Sequence, residues 1–196
     1  MKKTRVVVLF GGRSAEHEVS IMSARNVIAA LPKDKYEVIP IAVDKEGMFL
    51  PPEAAPKILA SAHQATPLEK MKNTALVLVR GDKGAVITNP LGGGESIGVD
   101  VILPIMHGPF GEDGAVQGLA RMANIPVVGC DVLGSAVNMD KDVTKRLLRD
   151  GGINISEYIL IYKYNKDQWS YEKIAKTLGD IFYMKPANMG SSVGVA

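Results

Sequence analysis

The sequence holds one cysteine, Cys130, so no disulfide can form within the chain. That fits a reducing compartment. Cys130 follows an apolar stretch, residues 126–129, and is expected to be a small buried hydrophobe rather than a nucleophile. Long apolar runs are missing too. The longest stretches free of Asp, Glu, Lys and Arg reach eleven residues, residues 101–111 among them, whereas a membrane-spanning helix needs ~20. The basic start, Met-Lys-Lys-Thr-Arg, imitates a signal-peptide n-region. The apolar run behind it, residues 6–10, is too short and ends in Gly-Gly. An excess of charge is also absent: 23 Lys+Arg against 21 Asp+Glu leave a formal +2. The densest basic cluster, Lys141, Lys145, Arg146 and Arg149, is interleaved with Asp140, Asp142 and Asp150, unlike the one-sided stripe of a nucleic-acid protein. The three histidines, His17, His63 and His107, are too scattered for a metal cage. These absences predict a cytoplasmic protein of small-molecule chemistry, with no nucleic-acid or membrane partner.

What is present is an ordinary globular composition, 46% hydrophobic and 22% charged over 196 residues, which excludes disorder and collagen-like repetition. At ~100–200 residues per domain, this is one large domain or two small ones. Residues 5–10 are a β-branched run that ends at Gly11-Gly12. In residues 16–31 the side chains of Ile21, Ala24, Val27, Ile28 and Leu31 share one helical face. Ser14 is the expected N-cap, and Pro32 closes the helix. Tyr36–Val43 is a second strand, so the chain opens β-α-β, which implies a parallel sheet with covered faces. Next come a turn and short strand (44–50), a short helix near 57–62, a hairpin (75–79 with 85–88) and a glycine loop at Gly92-Gly93-Gly94. A buried strand (99–103), a loop (104–114), a helix (115–123) and a short strand (125–128) follow. After residue 130 the texture changes. A charged helix (140–149) stops at Gly151-Gly152, and a strand (155–162), a helix (169–178) and a strand (181–185) lead to a Gly/Ser-rich loop. The fold class is α/β, a doubly wound, Rossmann-like parallel-sheet domain over residues 1–130. The first part of an incomplete α+β domain occupies 131–196.

Three motifs carry chemistry. Gly11-Gly-Arg-Ser-Ala-Glu-His-Glu-Val-Ser20 follows the first strand, at the carboxyl edge where open parallel sheets bind ligands. A dinucleotide is disfavoured, because Arg13 and Glu16 stand where the G-x-G-x-x-G fingerprint needs glycine. A carboxylate there repels phosphate and suits an amine; equally, Glu16 serves only to complement the helix dipole. His107-Gly-Pro-Phe-Gly-Glu-Asp-Gly-Ala-Val-Gln-Gly118 opens at the same edge. His107 is a candidate hydrogen-bonding partner for a carboxylate ligand, while Glu112 and Asp113 are expected to cap the following helix. Tyr183-Met-Lys-Pro-Ala-Asn-Met-Gly-Ser-Ser-Val-Gly194 offers Lys185, backbone N–H groups and two hydroxyls, the chemistry of a phosphate cradle. It is not a Walker A loop, because the lysine precedes it. Lys141, on a helix, is weak evidence alone.

Taken together, these motifs resemble the D-alanine–D-alanine ligase family of the ATP-grasp superfamily over the whole chain. The segment from Gly11 to Ser20 looks like the family's first-strand loop, and His107-Gly-x-x-Gly-Glu-Asp-Gly-x-Val-Gln-Gly118 looks like its signature. Asn138-Met-Asp-Lys141 and Lys185-Pro through Gly190-Ser-Ser-Val-Gly194 resemble its ATP-lysine motifs and serine loop. The resemblance implies a pre-ATP-grasp domain followed by part of an ATP-grasp domain. It implies that Glu16 holds the ammonium of a first D-alanine and that His107 lies near its carboxylate. Ser191 would order the active site, and Lys141, Lys185, Ser191 and Ser192 would bind ATP phosphates. The reaction would be ATP-dependent synthesis of D-alanyl-D-alanine for the cell wall, through a D-alanyl phosphate, with Mg²⁺ (or Mn²⁺) and in a homodimer.

In that family the metal ligands, catalytic arginine, lid tyrosine and second-substrate subsite lie beyond residue 196, so these 196 residues alone are expected to be inactive. The competing readings are a D-alanine–D-lactate or other ATP-grasp ligase, a non-catalytic fragment, and a nicotinamide-binding protein, which Arg13 and Glu16 disfavour.

Overall fold

A computed structural model describes residues 2–61, 77–81, 84–89 and 96–196. His63 and the loop at Gly92-Gly93-Gly94 lie outside the described residues. The chain divides into two compact units, residues 1–136 and 137–196.

In the first unit, β1 (Thr4–Gly11) is the central strand of a parallel sheet of order β2-β1-β6, where β2 is Tyr36–Val43 and β6 is Val101–Pro104. Successive side chains of a strand point to opposite faces, and here both faces are buried. Val6, Val8 and Phe10 pack with Ile21 and Ala24 of helix α1 (His17–Ala30), with Ile28 and Leu31 partly buried against the same cluster. Val7 and Leu9 face the other way, against Ile102 and against Val116 and Ala120 of helix α3 (Ala115–Met122). Helices on both faces make this the doubly wound α/β arrangement read from the sequence. Helix α2 (Ala55–Ala60) extends the α1 face through Ala55 and Ile58. The hairpin of β3 (Val77–Gly81) and β4 (Gly84–Thr88) gains a third antiparallel strand, β5 (Ile97–Gly98), and buries Ala85 and Ile87 in the α3-side core.

Several local expectations change. Ser14 does not cap α1. Its Oγ accepts the Glu16 N–H at 3.1 Å in the turn before the helix, and Glu16 occupies the N-cap position without a side-chain cap. The strand expected over 125–128 shrinks to one parallel bridge, Val127 to Ile102. Pro126 has no N–H to give, and Gly129, at φ +128°, turns the chain away. Cys130, just past that turn, is exposed rather than buried. Asp113 does bind the first helical N–H, at Ala115 (3.0 Å), and also Phe110 N–H (2.8 Å). Glu112 instead accepts the Gly108 N–H at 2.6 Å, closing its own loop rather than capping α3.

A helix absent from the sequence reading, α4 (Val132–Met139), spans the division between the units. It starts where Asp131 accepts the Gly134 N–H at 2.7 Å. In the second unit, α5 (Lys141–Asp150) is capped by Asp140, whose Oδ1 accepts from Asp142 (2.9 Å) and Val143 (3.0 Å). Helix α6 (Tyr171–Leu178) is capped by Ser170. The strands expected over 155–162 and 181–185 have no ladder among the described residues. A strand needs a ladder with a neighbour's backbone, and among the described residues these segments make only isolated contacts. Lys145 Nζ donates to the Ser156 carbonyl (3.1 Å) and Oγ (2.8 Å), and Tyr158 Oη donates to Asp142 at 2.8 Å. That hydrogen bond to a carboxylate raises the Tyr158 pKa. Met184 and Ala196 exchange two backbone hydrogen bonds, of 2.8 and 3.0 Å, making one antiparallel pair.

Candidate active site

The carboxyl edge of the parallel sheet is assembled by close backbone approach. Gly11 (φ +87°) and Gly12 (φ +97°) adopt conformations that favour glycine. A Cβ at Gly11 would run into the Val43 carbonyl, and one at Gly12 would lie 2.5 Å from the Met106 methyl. The β1 loop is thereby pressed against the ends of both neighbouring strands. Arg13 points aside, its guanidinium 5.0 Å from the centre of the Phe110 ring.

Glu16, half-buried, turns toward the loop after β6: a Cβ at Gly108 (φ +71°) would lie 2.9 Å from its Oε2. His107, also half-buried, stands next to Gly108 on that loop, and its Nε2 is 3.2 Å from Ser23 Oγ. The Glu16 carboxylate has no cation or hydrogen-bond donor among the described residues. The fold therefore brings Glu16 and His107, 91 positions apart in the sequence, to one edge, with an uncompensated negative charge between glycine-rich loops. The chemistry of such an edge suits a cationic group.

The other four candidates cluster in the second unit. Lys141, Lys185, Gly190, Ser191 and Ser192 line a cavity of about 130 Å³. That is below the ~300–1,000 Å³ of whole-ligand pockets and suits one part of a ligand, such as a phosphoryl group. Ser191 (φ 53°) and Ser192 (φ 58°) both adopt left-handed backbone, a conformation that costs non-glycine residues about 1–2 kcal/mol each and that marks functional loops. Lys141 grips the loop from α5: its N–H donates to the Ala187 carbonyl at 3.0 Å. Its Nζ donates to the same carbonyl (3.3 Å) and to that of Met189. Lys185 is exposed, its Nζ 5.6 Å from the Tyr183 ring centre. Two ammonium groups and two hydroxyls around a small cavity fit an oxyanion such as a phosphate.

The sequence reading passed over three residues of α1. His17 is buried, with Nδ1 2.9 Å from the Gly12 carbonyl oxygen. Ser20, fully buried, accepts the Gly11 N–H at 2.7 Å and donates to the Ile105 carbonyl at 2.6 Å. Ser23 holds His107. Their signal was available: polar residues at intervals of three bordering the apolar stripe.

The first unit is thus a doubly wound α/β domain with a carboxylate and a histidine at its sheet edge, and the second unit carries lysines and serines around a small cavity. The family model described as "D-ala D-ala ligase N-terminus" matches residues 5–130, more than half of the chain. Over all 196 residues the sequence is 44% identical to "D-alanine--D-alanine ligase A" of Escherichia coli (strain K12), covering 100% of this chain and 54% of that protein. The D-alanine-D-alanine ligase of Coxiella burnetii superposes with a TM-score of 0.80 at 32% identity, covering 100% of this chain and 54% of that one. A Bacillus anthracis D-alanine--D-alanine ligase complexed with ATP has a TM-score of 0.60 at 28% identity, covering 95% and 48%. The chain belongs to the D-alanine–D-alanine ligase family. It spans about half the length of the curated relatives it matches.

Proposed function

We propose that these residues are the N-terminal part of a ligase that forms D-alanyl-D-alanine from two D-alanines and ATP, for peptidoglycan synthesis. The observation that supports this most is the Glu16 carboxylate, without a partner among the described residues and beside Gly108 at the sheet's carboxyl edge, a place for the ammonium of the first D-alanine. His107, next to Gly108 on the same loop, would meet that substrate's carboxylate. The second unit's Lys141, Lys185, Ser191 and Ser192 would hold ATP phosphates. Lys185 has no carbonyl partner for its ammonium among the described residues, so we assign it the larger share of phosphate charge; Lys141 would divide its donors between phosphate and the loop it holds. In the proposed reaction the first substrate's carboxylate attacks the γ-phosphorus, giving D-alanyl phosphate and ADP. The amine of the second D-alanine then attacks the acyl carbon, and phosphate leaves from the tetrahedral intermediate. Lysine ammonium groups stabilise charge that builds on the phosphoryl oxygens.

When bound, Mg²⁺ (or Mn²⁺) would neutralise phosphate charge. Among the described residues no group of three or more His, Cys, Asp and Glu side chains is placed to hold it, so no residue of this chain is assigned to the metal. No helix among them is long and apolar enough to cross a membrane. The family resemblance supports a cytoplasmic homodimer, and the site residues above, with domains at 1–130 and 131–196, are part of the same proposal.

Full-length protein incubated with ATP, Mg²⁺ and D-alanine should release ADP, phosphate and D-alanyl-D-alanine. A product only when D-lactate is added would select the depsipeptide reading, and no product with either would refute the proposal. Residues 1–196 alone should show no turnover.

A further inference from the structure

Helix α1 carries three polar side chains one i+3 step apart, His17, Ser20 and Ser23, and each reaches a loop of the sheet edge. His17 meets the Gly12 carbonyl, Ser20 joins Gly11 N–H to the Ile105 carbonyl, and Ser23 meets the His107 ring. Residues three apart on a helix form a slanting row on one side, so this row sets both ligand loops against one rigid element. The first two contacts hold backbone. The third holds a side chain that the proposed function places at the substrate, across 84 positions of sequence.

We infer that Ser23 is a positioning residue for His107: it fixes the imidazole through Nε2, so that Nδ1 is presented to the carboxylate of the bound amino acid. This rests on the proposed reading of the site. A serine in a helix ordinarily bonds back to its own carbonyls or to water; here the half-buried hydroxyl lies 3.2 Å from Nε2 instead. Nδ1 has no partner among the described residues. A neutral imidazole has one donor and one acceptor nitrogen. For Nδ1–H to donate to a carboxylate, Nε2 accepts, and the hydroxyl is the donor that holds that tautomer. Without it the ring is free to turn or to change tautomer, and the substrate loses a directed hydrogen bond while the fold loses little.

The test uses the full-length enzyme and four variants: S23A, S23T, H107A and the double variant S23A/H107A. S23A should raise KM for the first D-alanine roughly five- to tenfold, the worth of one hydrogen bond. ATP KM should stay within about twofold and the thermal midpoint should be unchanged, and S23T, which keeps the hydroxyl, should restore most of the affinity. In the H107A background, S23A should add nothing. An unchanged KM in S23A, or an equal further loss in the H107A background, would overturn the role of Ser23. So would loss of folding in S23A, because alanine is the best helix former and a positioning hydroxyl is not needed for the fold. If H107A itself leaves the D-alanine KM unchanged, the site reading fails first, and this inference fails with it.

Discussion

Several acidic side chains surround the sheet edge, and the fold consumes the charge of most of them. Glu112 is used on Gly108 N–H, and Asp113 on Phe110 and Ala115. Glu18 pairs with Lys45 at 2.6 Å, which lowers its pKa. Glu16 is left without a cation or donor among the described residues, and its place at the helix N-terminus beside Gly108 keeps both the ligand and the helix-dipole reading open. Spacing alone held both open because it contains no information on where neighbouring cations sit. Likewise, Ser23 and His107 are 84 positions apart, and no local pattern links them. A different residue pair serves structure only. Asp100 takes three hydrogen bonds from Arg5, and the guanidinium holds its carboxyl down at about 2, against an ordinary 3.8. A lowered folded-state pKa contributes stability that is present above the unfolded value and lost as pH falls through the folded one. Wild-type protein should therefore be more stable than D100N at pH 7. The pair is a third open to solvent, so the gap should be about 1 kcal/mol or less. It should shrink as pH drops from about 4 to about 2, as read by urea midpoints.

At the scale of elements, β1, α1, β2, the hairpin, β6 and α3 were legible because each has its own period or its own turn chemistry. The β-α-β opening implies a parallel sheet with covered faces, and the two clusters on either side of β1 bear that out. What failed were segments whose state depends on a neighbour. Residues 155–162 and 181–185 have strand-like composition but no ladder partner among the described residues. Helix α4 escaped notice because Leu133-Gly134-Ser135 has no clear stripe and a glycine in its interior. The serine that ties α1 to the sheet makes a prediction at this scale. S20A leaves the Gly11 N–H and the Ile105 carbonyl without a partner in the interior, at a cost of about 1–3 kcal/mol. Hydrogen exchange at the Gly11 amide in the full-length protein should quicken by roughly tenfold or more. An unchanged exchange rate would show that the clamp carries no weight.

At the scale of the molecule, the two units differ in kind. Every hydrophobic core residue identified lies between Val6 and Ile125, and no described residue beyond Ser135 is buried. Ile181 is 88% exposed and Tyr183 75%. In the proposed division of labour, the first unit's edge takes the amino acid and the second unit's loop takes the phosphates, so substitutions should affect the two substrates separately. The most direct measurement is steady-state kinetics of E16Q in the full-length enzyme, with D-alanine and ATP varied in turn. The account predicts that KM for the first D-alanine rises at least tenfold, because a hydrogen bond to a charged group is worth about 1.5–3 kcal/mol, while KM for ATP stays within about twofold. An unaltered D-alanine KM, or an equal loss for both substrates, would contradict it.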